Sequence, residues 1–192
     1  MSAEERDARL LRCLWFPDLS IPTGELADWA VVLIELGKEP AVVAGTAVLE
    51  TAVLLTPPRS DLAFVHQVLD ELHVWLGSAK RTQDLRRLGD LWWSLTRNPP
   101  QSAQTPLGHA AVMASLLAGY DPEGWGNPPE DPDRLPMWMA EAASNVTAIV
   151  DVFSLVQQEG GKMHEETLVQ SVRKAVAAWR ETKANAVEGE QI

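Results

Sequence analysis

Apolar residues recur every three or four positions along nearly the whole of this chain, and proline and glycine cut the runs at intervals of about one helix length. That period places side chains on one face of an α-helix, whereas a half-buried strand needs alternation at every second residue. No run of strict alternation is long enough to suggest a sheet. The breakers predict about eight helices. The first spans Ala3 to Trp15, before Pro17. The second runs from Gly24 to Leu36, with Thr23 as its cap and Gly37 at its end, and the third from Pro40 to Leu55, stopped by Pro57-Pro58. Ser60 caps a fourth over Asp61 to Leu76, closed by Gly77, and Thr82 a fifth that Asn98-Pro99-Pro100 ends after Arg97. Thr105-Pro106 opens a sixth that finishes at Gly119. Pro136 starts a seventh that reaches about Gln158 before Gly160-Gly161, and an eighth covers Glu165 to Val187.

The expected fold is therefore all-α: a single bundle or irregular array of about eight helices with no sheet. At 192 residues the chain is long for one domain and short for two. Residues 1–187 read as one helical domain with a proline-rich acidic loop at 120–135 inside it, and 188–192 as a frayed tail. No period of self-similarity supports a regular solenoid. The Pro40–Leu55 and Pro136–Gln158 segments are apolar over most of their circumference, which suits the middle of a bundle. In the latter, Trp138, Ala142, Val146, Ile149, Phe153 and Val156 form the predicted stripe, widened by Met139, Ala143 and Val150 and opposed by a polar strip at Glu141, Ser144, Thr147 and Asp151.

The bulk chemistry narrows the function. The single cysteine, Cys13, permits no internal disulfide and fits a reducing, cytoplasmic setting. The start of the chain lacks the basic and apolar regions of a signal peptide. The most apolar stretch, Ala41 to Leu55, is shorter than the roughly 20 residues a membrane span needs, so no membrane association is expected. With 27 acidic against 16 basic residues the net charge is −11, which repels phosphate backbones and favours a basic protein partner over nucleic acid. Phosphate-binding, dinucleotide and nucleophile-elbow motifs are missing, so neither a cofactor nor a familiar catalytic centre is expected.

Four groups of residues remain as candidates. Glu50 sits at helical spacing among Val43, Thr46, Val53 and Leu54, where an apolar residue is expected. A carboxylate there must be paired, hydrogen-bonded or protonated, or the helix must open to solvent at that edge. Buried carboxylates can serve acid–base chemistry, and an enzyme site built on Glu50 with His66 or His73 is the third functional reading. His66, Asp70 and His73 share one face of their helix at spacings that could offer three ligands to zinc. They also border the stripe of Leu62, Leu69, Leu72 and Leu76, where polar residues belong in any case.

The acidic loop carries Asp121, Glu123, Glu130, Asp131 and Asp133 with Trp125 among them. Its calcium-loop signal is weak, because Trp125 takes a ligand position and Pro132 stands where the closing glutamate should be. A contact surface for a basic partner and a plain solvated linker are the two readings left. In the predicted helix after Thr82, Leu85, Leu88, Leu91, Trp92 and Leu95 form the inner stripe. Trp93 points about 100° away, onto the side of Arg86, Asp90 and Arg97. Tryptophan beside arginine is an interface composition, and packing against a neighbouring helix is its alternative.

Two stretches carry a resemblance. In Thr56-Pro57-Pro58-Arg59-Ser60-Asp61, a helix closes, a proline/aspartate turn follows, and the next helix ends in His73-Val74-Trp75-Leu76-Gly77. The second stretch is Met113-Ala114-Ser115-Leu116-Leu117-Ala118-Gly119, followed by a proline-rich loop and a long helix. Over about half of the chain this resembles small helical bacterial immunity proteins and related families of unknown function. The resemblance implies a helical bundle and neutralisation of a toxin, or an accessory role. The leading expectation is a non-enzymatic protein-binding protein of immunity type, and the runner-up is a structural or scaffold subunit of a larger assembly.

Overall fold

A computed structural model describes residues 30, 33, 37–60, 62–77, 104–119, 124–126, 129–160 and 165–189. They form five α-helices: α1 (Lys38–Leu55), α2 (Leu62–Gly77), α3 (Pro106–Gly119), α4 (Leu135–Gly160) and α5 (Glu165–Gly189). No β-strand occurs among the described residues. The predicted helices at 3–15 and 82–97 lie outside them. Of the 24–36 segment only Ala30 and Leu33 are described, both helical and both buried in the common core. The expected total of about eight helices thus rests partly on segments beyond the described residues.

The helix ends follow from local chemistry. Gly37, at φ 108°, turns the chain into α1 in a backbone conformation that side-chain-bearing residues avoid. Pro40 falls in the first turn, where its missing N–H costs no hydrogen bond. At the other end the backbone N–H and the hydroxyl of Thr56 both donate to the carbonyl of Ala52, at 3.0 and 2.7 Å, before Pro57-Pro58 stops the helix. Thr105 caps α3: its Oγ1 accepts the N–H of Gly108 at 3.1 Å, and Pro106 is the first helical residue. Ahead of α4, the Asp131 carboxylate accepts the N–H of Asp133 at 3.0 Å and its carbonyl accepts that of Arg134 at 3.2 Å, curling the chain into the helix.

α1 packs against each of the other four helices. Its apolar circumference requires such a place, and small residues let the neighbours come close. A Cβ added to Gly45 would sit 3.5 Å from Leu117 Cδ1 and 3.9 Å from Ala114 Cβ, so side chains of α3 pack close over the backbone of α1. Ala110, Ala111 and Ala118 extend the same small-residue surface on α3. Thr46 and Thr51, buried in α1, discharge their hydroxyls onto the carbonyls of Val42 and Ala47, both at 2.8 Å.

The α5 helix runs antiparallel to α1. Ser171, early in α5, donates to the carbonyl of Ala47 at 3.2 Å, and Lys183, late in α5, pairs with Glu39 in the first turn of α1 at 3.0 Å. Lys38 lies 5.7 Å from the ring centroid of the buried Trp75, tying the start of α1 to α2. Phe153, Ile149, Leu107, Leu117 and Leu72 are among the largest fully buried side chains. Each such burial contributes about 1.5–3 kcal/mol, more than any surface ion pair here.

The long helix keeps part of its predicted face: Ile149, Phe153 and Val156 are buried, joined by Asn145, Ala148 and Val152. Trp138 and Ala142 are only half-buried, and Met139 and Ala143 are exposed. The segment Leu135–Val156 has 22 residues with a mean hydropathy of 1.3, enough by length and composition alone to cross a membrane. The apolar run at Ala41–Leu55, weighed above, is shorter. In the fold this longer segment packs against α1 and α3.

Candidate functional site

The head of α4 gathers the features most suited to contact with another molecule. α4 spans 26 residues, about 39 Å at 1.5 Å per residue, whereas α3, packed along it, spans 14. Among the described residues, the exposed end of α4 is the N-terminal one. Every residue from Glu130 to Met137 is exposed, and continuous burial on α4 starts only near Asn145. The first turns of α4 therefore overhang the bundle and carry Leu135, Met137 and Met139 into solvent.

One short segment covers part of the overhang. Gly124 is buried so tightly that an added Cβ would fall on the backbone of Glu141 and Ala142. Gly126, at φ 76°, then bends the chain in a conformation natural to glycine. Trp125, held between them, is half-buried against the core, with its indole nitrogen shielded from solvent. The sequence offered Trp125 either as part of a contact surface or as part of a solvated linker, and the structure has it partly packed on the core. Trp138 Nε1 and Asn145 Nδ2 are buried as well, and like Trp125 Nε1 they have no hydrogen-bond partner among the described residues.

The acidic residues keep their predicted exposure. Glu130, Asp131 and Asp133 all face solvent, with Arg134 the single base beside them. Asp131 also has a structural role, since its carboxylate organises the turn into α4. Glu123, Trp93, Arg86 and Arg97, the other residues proposed for partner binding, lie outside the described residues.

A second grouping lies on the α1–α2 pair. Glu50 is not buried. Its side chain is 46% exposed, and its Oε1 accepts a hydrogen bond from His73 Nε2 at 2.8 Å. Of the readings open for Glu50, the structure takes an edge open to solvent with a hydrogen bond to His73 across it. Val43 and Val53 are half-buried beside it and Leu54 is exposed, so this strip of α1 is the one its neighbours leave uncovered. His66, Asp70 and His73 are exposed on α2, and no three acidic, histidine or cysteine side chains among the described residues come together as a metal would require. Glu50 and His73 do converge, as the enzyme reading asks, but at a wet surface. The low-dielectric enclosure that strengthens catalytic electrostatics is absent around them.

Sequence reasoning missed the overhang and the buried Asn145. The signal for the first lay in the helix lengths, a long apolar helix following a much shorter one. Asn145 carried no such signal, because a lone asparagine in an apolar helix reads equally well as surface.

No protein-family model matches the chain, and no curated protein or solved structure matches it either.

Proposed function

We propose that this is a non-enzymatic helical protein that binds another protein, with occlusion of a cognate basic toxin, in the manner of immunity proteins, as its most specific form. The observation that carries the reading is the exposed acidic turn of Glu130, Asp131 and Asp133, in a chain of net charge −11. Such a field steers a basic partner and speeds its approach while discouraging nucleic acid. The resemblance of the α1–α2 unit to immunity-type proteins points the same way.

The test is affinity capture with the full tagged chain at low salt. Recovery of one basic protein that is released as salt screens the contact supports the reading. Repeated capture that returns no specific protein refutes it. A second reading, a subunit of a larger assembly, is favoured by the exposed apolar residues at the head of α4. It predicts recovery in fixed stoichiometry that survives high salt.

A further inference from the structure

We infer that the overhanging first turns of α4 insert into an apolar groove on a protein partner whose rim carries lysine and arginine. This deepens the protein-binding reading above and rests on it. Three exposed apolar side chains mark the surface: Leu135 at 37%, Met137 at 50% and Met139 at 59%. Helix geometry spreads them. Leu135 and Met139, four residues apart, share one side, while Met137 is about 200° round from Leu135. A flat surface would reach one side only, whereas a groove receives both. The Gly124 backbone packs on the helix further along, at Glu141 and Ala142, while Leu135, Met137 and Met139 stay exposed. Methionine suits the task because its unbranched, polarizable side chain adapts to the walls it meets.

Charge selects the occupant. Glu130, Asp131 and Asp133 stand exposed at the entrance of the helix against Arg134 alone. A second copy of this chain would bring the same carboxylates into the contact, and an anionic bilayer would repel them. A groove rimmed with basic residues complements both the apolar turns and the acidic collar.

The experiment places a photo-crosslinking amino acid at position 137 or 139 of the full chain in its native host, with position 54 as control. Leu54 is 85% exposed at the far end of α1 and lacks an acidic collar. Crosslinks from 137 and 139 to one protein, mapped to a peptide of apolar residues flanked by lysine or arginine, are expected, with none from 54. The double variant Met137→Glu/Met139→Glu should keep the helical circular dichroism of the parent and hold that protein about tenfold more weakly. Glu130→Lys with Asp133→Lys should weaken it as well, leaving the Asp131 carboxylate in place.

Crosslinks to a second copy, or co-sedimentation with phosphatidylcholine–phosphatidylglycerol vesicles that the methionine variants abolish, would overturn the inference. A captured protein that crosslinks only through position 54, or is held equally by the methionine variants, would sink this surface and leave the protein-binding reading intact. Failure to capture any protein would remove both.

Discussion

His73 Nε2 and Glu50 Oε1 meet at 2.8 Å and join α2 to α1 across 23 residues of sequence. Both side chains are about half exposed, at 51% and 46%, so water competes for each of them. A contact in that setting, even were both groups charged, is worth at most about 1 kcal/mol. Glu50→Gln should therefore shift the urea midpoint of unfolding only slightly, and a loss above about 2 kcal/mol would show that the pair is far less solvated than the structure has it.

Gly124 makes the opposite forecast. A methyl group there has no room, because it meets the backbone of Glu141 and Ala142 and not a side chain that can swing aside. Gly124→Ala should push the Gly124–Gly126 segment off α4, cost about 1–3 kcal/mol, and speed amide exchange over residues 135–142. Unchanged exchange in that stretch would contradict the packing.

Gly45 is a glycine that can be replaced. The added methyl would meet Leu117 and Ala114 at ordinary contact distances, 3.5 and 3.9 Å, and alanine is the better helix former by about 1 kcal/mol. Gly45→Ala should leave the melting temperature unchanged or raise it. Gly45→Leu, with three more carbons at the same crossing, should cost about 1–3 kcal/mol. If the alanine variant melts markedly lower, α1 and α3 are closer than described.

The start of α3 depends on one hydroxyl. Thr105→Ala removes the acceptor of the Gly108 N–H and should cost about 1 kcal/mol in denaturant unfolding, whereas Thr105→Asp should retain most of the stability. Equal losses from both would show that the cap is not what holds this helix end.

Residues whose partners lie a few positions away were the most readable in sequence. Thr105-Pro106, Pro57-Pro58 and Gly119 act on their own turns, so the limits of α1, α2 and α3 were legible within a few residues. That α1 is central could also be read, since no amphipathic helix is apolar all round. The same uniformity concealed its one uncovered strip. With apolar residues on every side, only the positions of four neighbours decide where solvent enters, and Glu50, the lone charge inside an apolar run, was the available marker.

The face of α4 was legible only in part, for a related reason. Asn145 joined the core and Met139 did not, because α4 overruns the helices it packs on, and periodicity within one helix carries no information about the length of another. Trp125 could not be assigned from its acidic neighbours. Two glycines, one pressed against α4 and one at positive φ, decide which way it faces.

The carbonyl of Ala47 accepts both the Thr51 hydroxyl, four residues on, and that of Ser171, which follows 124 residues later. On the ribosome those two bonds are separated in time. At about 5–20 residues per second, on the order of ten seconds pass between the emergence of α1 and that of the helix that packs against it last. Through that interval one of the most apolar segments of the nascent chain must be shielded by something other than its native neighbour. Synthesis of this protein should therefore lean on chaperones more heavily than its modest size would suggest, and truncation before α5 should yield aggregates and not a smaller bundle.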